Sequence, residues 1–203
     1  MPPIRLLSWG ANSHSQLGHG FQSEQLIVPK EVDLSEISLE AENIKKIVGG
    51  AGHSLILDKY GCVYACGWNS KGQTGIPGED IMPKFKKIES LKDEVITDID
   101  CGWDSTMCLN ENGEIFVWGS NSFGQLGIDP QRQNCILQPQ KIIMNEKIER
   151  FSLGLRHTAL VTETGKILTS GTGGKCQLGL IDSENKPIRR ANIFTEGDYL
   201  LSE

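Results

Sequence analysis

An all-β repeat fold is predicted by three observations: glycines recur at one constant interval, strand-length apolar segments lie between them, and no segment has a convincing amphipathic helical period. Gly50, Gly102 and Gly154 are spaced by 52 residues, as are Gly61, Gly113 and Gly165, Gly67, Gly119 and Gly171, and Gly75, Gly127 and Gly179. A glycine that returns at a fixed interval marks a turn built the same way each time. An earlier partial copy carries Gly10 and Gly18, displaced by 57 rather than 52, so five extra residues precede Gly67, placed by composition in the polar stretch 33–43.

Each period holds four short apolar segments. The first follows a proline, at Pro29, Pro83, Pro139 and Pro187, whose missing N–H suits a strand start or a sheet edge. The second carries Ile44 and Ile47, Ile96 and Ile99, or Ile148 and Phe151; the third is 54–57, 106–109 or 158–161; the fourth is 63–66, 115–118 or 167–170, echoed by 6–9. Gly, Asn and Asp at their boundaries supply turn chemistry rather than helix caps. Residues 34–46 come nearest to a helical pattern. Four strands per repeat with a period near 50 describe the blade of a β-propeller. The period divides the chain into units at 4–27, 28–79, 80–131 and 132–183, with 184–203 opening a further blade. Trp9, Trp118, Ile115, Ile167 and Phe116 are then expected to pack between blades.

Composition narrows the function. The 203 residues carry 20 basic and 26 acidic side chains, a formal charge of −6, which opposes coating of duplex DNA because phosphate binding needs clustered Lys and Arg. The hydrophobic 38% together with the 23 glycines falls in the globular range. Residues 1–7 lack the apolar block of a secretory signal, and no run is long enough to insert into a membrane, so a cytoplasmic or nuclear protein is expected. The six cysteines include no C-x-x-C pair and are read as reduced packing residues. No cofactor or metal is expected. His53 and His157 stand two periods apart and are assigned a structural role, their rings bonding turn backbone within each blade; G-x-S-x-G and H-E-x-x-H are absent. The stretch Gly171-Thr172-Gly173-Gly174-Lys175 lacks the spacing of a phosphate loop and is, by register, another blade turn.

Two segments are more specific. Trp9-Gly10-Ala11-Asn12-Ser13-His14-Ser15-Gln16-Leu17-Gly18 and Trp118-Gly119-Ser120-Asn121-Ser122-Phe123-Gly124-Gln125-Leu126-Gly127 resemble the W-G-x-N-x-x-G-Q-L-G signature of the regulator of chromosome condensation repeat family. Gly50-Ala51-Gly52-His53-Ser54 and Gly154-Leu155-Arg156-His157-Thr158 resemble its G-x-x-H-[ST] signature. Ser105 replaces the signature histidine in one copy, and Gly173 the signature asparagine in another. The resemblance implies a seven-bladed propeller, of which this chain supplies about three complete four-stranded blades plus flanking strands, as a shortened form.

The wording of the blades resembles the branch of the family that releases guanine nucleotide from a small GTPase in the control of protein secretion. That likeness implies a small GTPase or a secretory-machinery protein as partner, and exchange without covalent chemistry. An exchange factor needs contact surface and a wedge to favour the empty GTPase over the loaded one; the excess at 33–43 is the one candidate for a wedge. The alternative is a scaffold that binds without exchange, or, as a third class, an enzyme using the central channel. Family geometry implies that the two residues after Gly50, Gly102 and Gly154 reach one rim, which singles out Trp103, Asp104 and Arg156 as partner-binding residues. Their purely structural alternative is a Trp capping its own blade and an Asp–Arg pair between blades.

Overall fold

The structure is a computed structural model that describes residues 4–197. Residues 1–3 of the stretch read for a signal, and 198–203 at the end of the segment assigned to a further blade, lie outside the described residues. Fourteen strands run in chain order: β1 (Leu7–Ala11), β2 (Gln25–Glu31), β3 (Ile44–Gly49), β4 (His53–Asp58), β5 (Val63–Trp68), β6 (Ile81–Lys87), β7 (Ile96–Cys101), β8 (Ser105–Asn110), β9 (Ile115–Ser120), β10 (Cys135–Ile142), β11 (Ile148–Leu153), β12 (His157–Thr162), β13 (Ile167–Thr172) and β14 (Arg190–Glu196). They form three four-stranded antiparallel meanders, β3 to β6, β7 to β10 and β11 to β14, and a two-stranded sheet of β1 and β2. No helix among the described residues is long and apolar enough to cross a membrane.

The sheets cut the repeat at a different place from the units expected from the period. β6 and β10, which carry Pro83 and Pro139, pair with β5 and β9 and close a sheet; β14, expected to open a further blade, likewise pairs with β13. Consecutive strands pair before the chain crosses to the next sheet, and the proline strand is the outer edge, where a missing N–H costs no ladder bond. β1 is therefore a third strand and β2 a fourth, and Pro187 lies ahead of β14, beside the bridge from Ile181. In every sheet the third strand bends at its glycine, where φ is +101° at Gly10, +103° at Gly67, +94° at Gly119 and +102° at Gly171, and the ladder to the fourth strand shifts register close by. A side chain there would be strained.

Packing between sheets is written in alternation. Along β4, Leu55 and Leu57 face the core shared with the second sheet, while Ile56 faces a separate cluster with Tyr64, Cys66, Phe85, Leu34 and Leu39. Two buried faces per strand require apolar residues at both parities, which is why β4, β8 and β9 each contain an unbroken apolar run, at 55–57, 107–109 and 115–118. The expected inter-blade residues Trp118, Ile115 and Phe116 are buried and Ile167 is half-buried. Trp9 departs from the expectation: it is 59% exposed because no described sheet precedes it. The innermost strands are tied directly. The Lys46 ammonium lies 2.8 Å from Asp98, and the Asp100 carboxylate accepts the Leu153 amide at 2.8 Å.

The expected near-helical stretch holds two short 3-10 turns, Ser35–Ile37 and Ala41–Asn43. Leu34 and Leu39 are buried beneath Phe85, and Lys84 forms an ion pair with Glu36. The five-residue excess is thus folded down onto the first sheet, and it is not a protruding wedge. All six cysteines are free thiols, with Cys66, Cys101 and Cys108 buried and Cys176 exposed.

Candidate functional site: one rim of the propeller

The turn between the first and second strands is built identically three times. The amide of Gly50 donates to the His53 carbonyl at 2.9 Å, that of Gly102 to Ser105 at 2.8 Å and that of Gly154 to His157 at 2.8 Å. Adjacent copies are linked where the Ala51 amide donates to the Trp103 carbonyl at 2.9 Å. The next carbonyl along, of Gly52, Asp104 or Arg156, accepts the amide of Trp68, Ser120 or Thr172 in the same sheet. The same turn thus sets residues 51, 103 and 155, and 52, 104 and 156, at equivalent positions of the three sheets.

The structure places the three singled-out residues as follows. Trp103 is 56% exposed, and at the next repeat Leu155 is 52% exposed. The Arg156 guanidinium lies over the Phe123 ring of the preceding sheet, 4.3 Å from its centroid. Asp104 is half-buried; burial raises its carboxyl above the usual range, opposed by the Ser120 hydroxyl and by the charges of Lys71 and Arg156. Asp104 and Arg156 form no direct ion pair; the partner of Arg156 is the aromatic at position 123. The sequence reading missed Phe123 and Leu155, although both stand inside the quoted signatures.

His53 is buried, and its role differs from the expected one. Its Nε2 lies 2.9 Å from the Thr106 hydroxyl of the following sheet, and not on its own turn. That hydroxyl donates to the Gln73 carbonyl at 2.8 Å, which also accepts the Trp118 indole N–H at 3.0 Å. Thr106 has one proton to give and gives it to Gln73, so Nε2 of His53 is the donor and the ring is the Nε2-protonated tautomer. Nδ1 then has no hydrogen-bond partner among the described residues. Burial pushes the imidazole pKa down to about 4, so the ring is neutral. His157 has no following sheet in the described residues and is half-buried. Among the described residues no group of three or more His, Cys, Asp or Glu side chains is placed to hold a metal ion.

The relay repeats. The main-chain carbonyl of Gln16 accepts the Ser54 hydroxyl, that of Gln73 accepts Thr106 and Trp118, and that of Gln125 accepts Thr158 and Ser170. In each turn the Gln amide oxygen accepts the backbone N–H two residues earlier, at His14, Lys71, Phe123 and Lys175. The glycine-rich stretch 171–175 is thereby the same blade turn.

This recurrent Trp-Gly, Asn, Gln and Gly-x-x-His geometry coincides with a family model. Residues 5–57, 60–109 and 112–161 match the regulator of chromosome condensation (RCC1) repeat. The chain belongs to that family. Over 169 residues it is 38% identical to the secretion-regulating guanine nucleotide exchange factor of Bos taurus, covering 83% of this chain and 35% of that protein. It therefore spans about a third of the length of that relative. Among solved structures it superposes on Prp20p of Saccharomyces cerevisiae with a TM-score of 0.78 at 22% identity, covering 97% of this chain and 47% of the other. On human WBSCR16 the TM-score is 0.78 at 19% identity, with 94% and 46% covered. These structures share the propeller fold, and the chain is a part of such a propeller.

Proposed function

We propose that this RCC1-repeat chain is a protein-interaction module that engages a small GTPase through the rim bearing Trp103, Asp104 and Arg156, as part of an exchange factor acting in secretion control. What supports this reading is the exposure of Trp103 and Leu155 at equivalent positions of successive sheets, beside an Arg156 whose guanidinium lies over Phe123. Trp and Arg are favoured interface anchors because they desolvate large areas while keeping a polar handle. The kinship with a secretion-regulating exchange factor supports the partner class, and the Prp20p structure was described together with its binding to Gsp1p, which supports it further. A cytoplasmic or nuclear location fits this reading, and secretory-machinery proteins are the alternative partners.

A second reading, a scaffold that binds without exchange, is favoured by the burial of Leu34 and Leu39, which leaves the 33–43 segment unavailable as a wedge. Release of a fluorescent guanine nucleotide from candidate GTPases separates the two. The exchange reading expects acceleration by the chain; the scaffold reading expects binding with an unchanged rate. In either case Trp103→Ala with Arg156→Ala is expected to weaken binding roughly tenfold or more. Unchanged affinity in that double variant contradicts the rim as the binding site.

A further inference from the structure

One place in each complete sheet brings the start of the third strand beside the end of the fourth. In the ladders Val63, Ile115 and Ile167 stand opposite Leu57, Leu109 and Val161, so the residues just before them, Cys62, Glu114 and Lys166, are equivalent. Lys87, Lys141 and Glu196 stand opposite Tyr64, Phe116 and Leu168 on the fourth strand and are equivalent in turn. In the second sheet this place is an ion pair, with Lys141 Nζ 2.6 Å from the Glu114 carboxylate. In the third it is an ion pair with the signs exchanged, Lys166 lying 3.7 Å from Glu196. The first sheet keeps the lysine and puts a thiol where the carboxylate stands.

The turn holds Cys62 as it holds Glu114. The Cys62 amide donates to Asp58 Oδ1 at 2.9 Å, and the Glu114 amide donates to Asn110 Oδ1 at 2.9 Å. Asp58 is buried and both its oxygens are engaged, Oδ1 by the Tyr60 amide at 2.9 Å as well and Oδ2 by the Tyr64 hydroxyl at 3.1 Å. Lys87 is thereby left to the Cys62 sulfur. Its ammonium is held above the usual lysine range, first by that hydrogen bond and less by the charges of Glu89 and Asp58, against the cost of burial. Solvent reaches the place: Cys62 is half-buried, and the side chains of Glu114 and Lys166, each with a complete sheet before it, are 35% and 45% exposed. A full neighbouring sheet therefore leaves this position open.

We propose that Cys62 is a peroxide-reactive thiol, with Lys87 as the group that meets the charge developed in the reaction. The thiolate is the attacking form. As the Cys62 sulfur bonds to one oxygen of a hydroperoxide, the O–O bond breaks and the other oxygen leaves with the bonding pair, taking a proton from Lys87; with hydrogen peroxide it leaves as water. Cys62 becomes the sulfenic acid, and the proton that the thiol released to solvent is returned to Lys87. A second peroxide adds another oxygen and releases another water, leaving a sulfinate. Two oxygens of one anionic group then face Lys87 as the Glu114 carboxylate faces Lys141. The reagent class follows from that match, because oxidation turns the thiol into the kind of anion that the same place holds against a lysine in the second sheet.

The chain carries its own control, since Cys176 is the exposed thiol and Cys62 only half-exposed. Hydrogen peroxide is added to the folded chain with dimedone, which traps sulfenic acid, and the labelled cysteines are read by peptide mass spectrometry over time. Cys62 is expected to label roughly tenfold faster than Cys176, although exposure alone would put Cys176 first. Lys87→Met is expected to slow Cys62 roughly tenfold and leave Cys176 as it was, and Lys87→Arg to keep most of the Cys62 rate. The buried thiols Cys66, Cys101 and Cys108 report the fold in the same digest by staying unlabelled. Labelling of Cys176 ahead of Cys62 in the unaltered chain overturns the proposal. So does a Cys62 rate indifferent to Lys87→Met while the three buried thiols stay protected.

Discussion

Trp118 and Trp9 stand at the same place in the repeat, and they live in opposite environments. Trp118 is fully buried with its indole N–H on the Gln73 carbonyl; Trp9 is 59% exposed. The same residue on the same strand is core in one sheet and surface in another, so burial here belongs to the neighbouring blade and not to the strand that carries the residue. That is the logic of a repeat protein, in which each unit supplies half of two interfaces.

The sharpest way to break the comparison is to truncate both residues. Trp118→Ala removes a fully packed side chain and leaves the Gln73 carbonyl one donor short, and is expected to cost about 3–5 kcal/mol in urea unfolding. Trp9→Ala is expected to stay within about 0.5 kcal/mol. Equal costs would mean that the blade next door does not set the environment.

His53 sharpens it through pH. Its folded pKa of about 4 lies below the ordinary 6.5, so below pH 6.5 the unfolded chain takes up a proton that the folded chain refuses. Stability from this group is complete above about pH 6.5 and falls as the pH drops towards 4, by about 3 kcal/mol in all. His53→Gln is expected to flatten that part of the urea-midpoint profile; an unaltered slope would place the loss elsewhere.

Much of this was legible in the sequence, and the illegible part has one physical origin. The constant glycine interval revealed strands, turns and their number per blade, because a glycine held at positive φ, as at Gly61, Gly67 and Gly75 and their copies, or crowded where a Cβ would stand, as at Gly50, Gly102 and Gly154, cannot drift. An interval has no phase, however. Whether Pro83 opens a sheet or closes one depends on pairing across connections of similar length, 69–80 and 88–95, and only the ladder between β5 and β6 decides. Contacts between blades were hidden for a related reason: the His53 to Thr106 bond joins different repeats, and nothing local in either copy announces it. The substitution of Gly173 for the signature asparagine was visible, and its consequence is now specific. Asn121 holds the Ile128 and Gln133 carbonyls and the Leu126 amide; the 173–187 loop has no such anchor at its first residue. Trp103, Asp104 and Arg156 were singled out by what the family resemblance implies, whereas the Phe123 ring beneath Arg156 comes from the preceding sheet and was missed.

The central claim, that each repeat position owes its environment to the adjoining blade, is tested most directly by hydrogen exchange of the indole N–H groups, followed by NMR. The Trp118 indole is expected to exchange only through near-global unfolding, and that of Trp9 close to the rate of an unfolded peptide. Comparable protection at the two indoles would contradict the account.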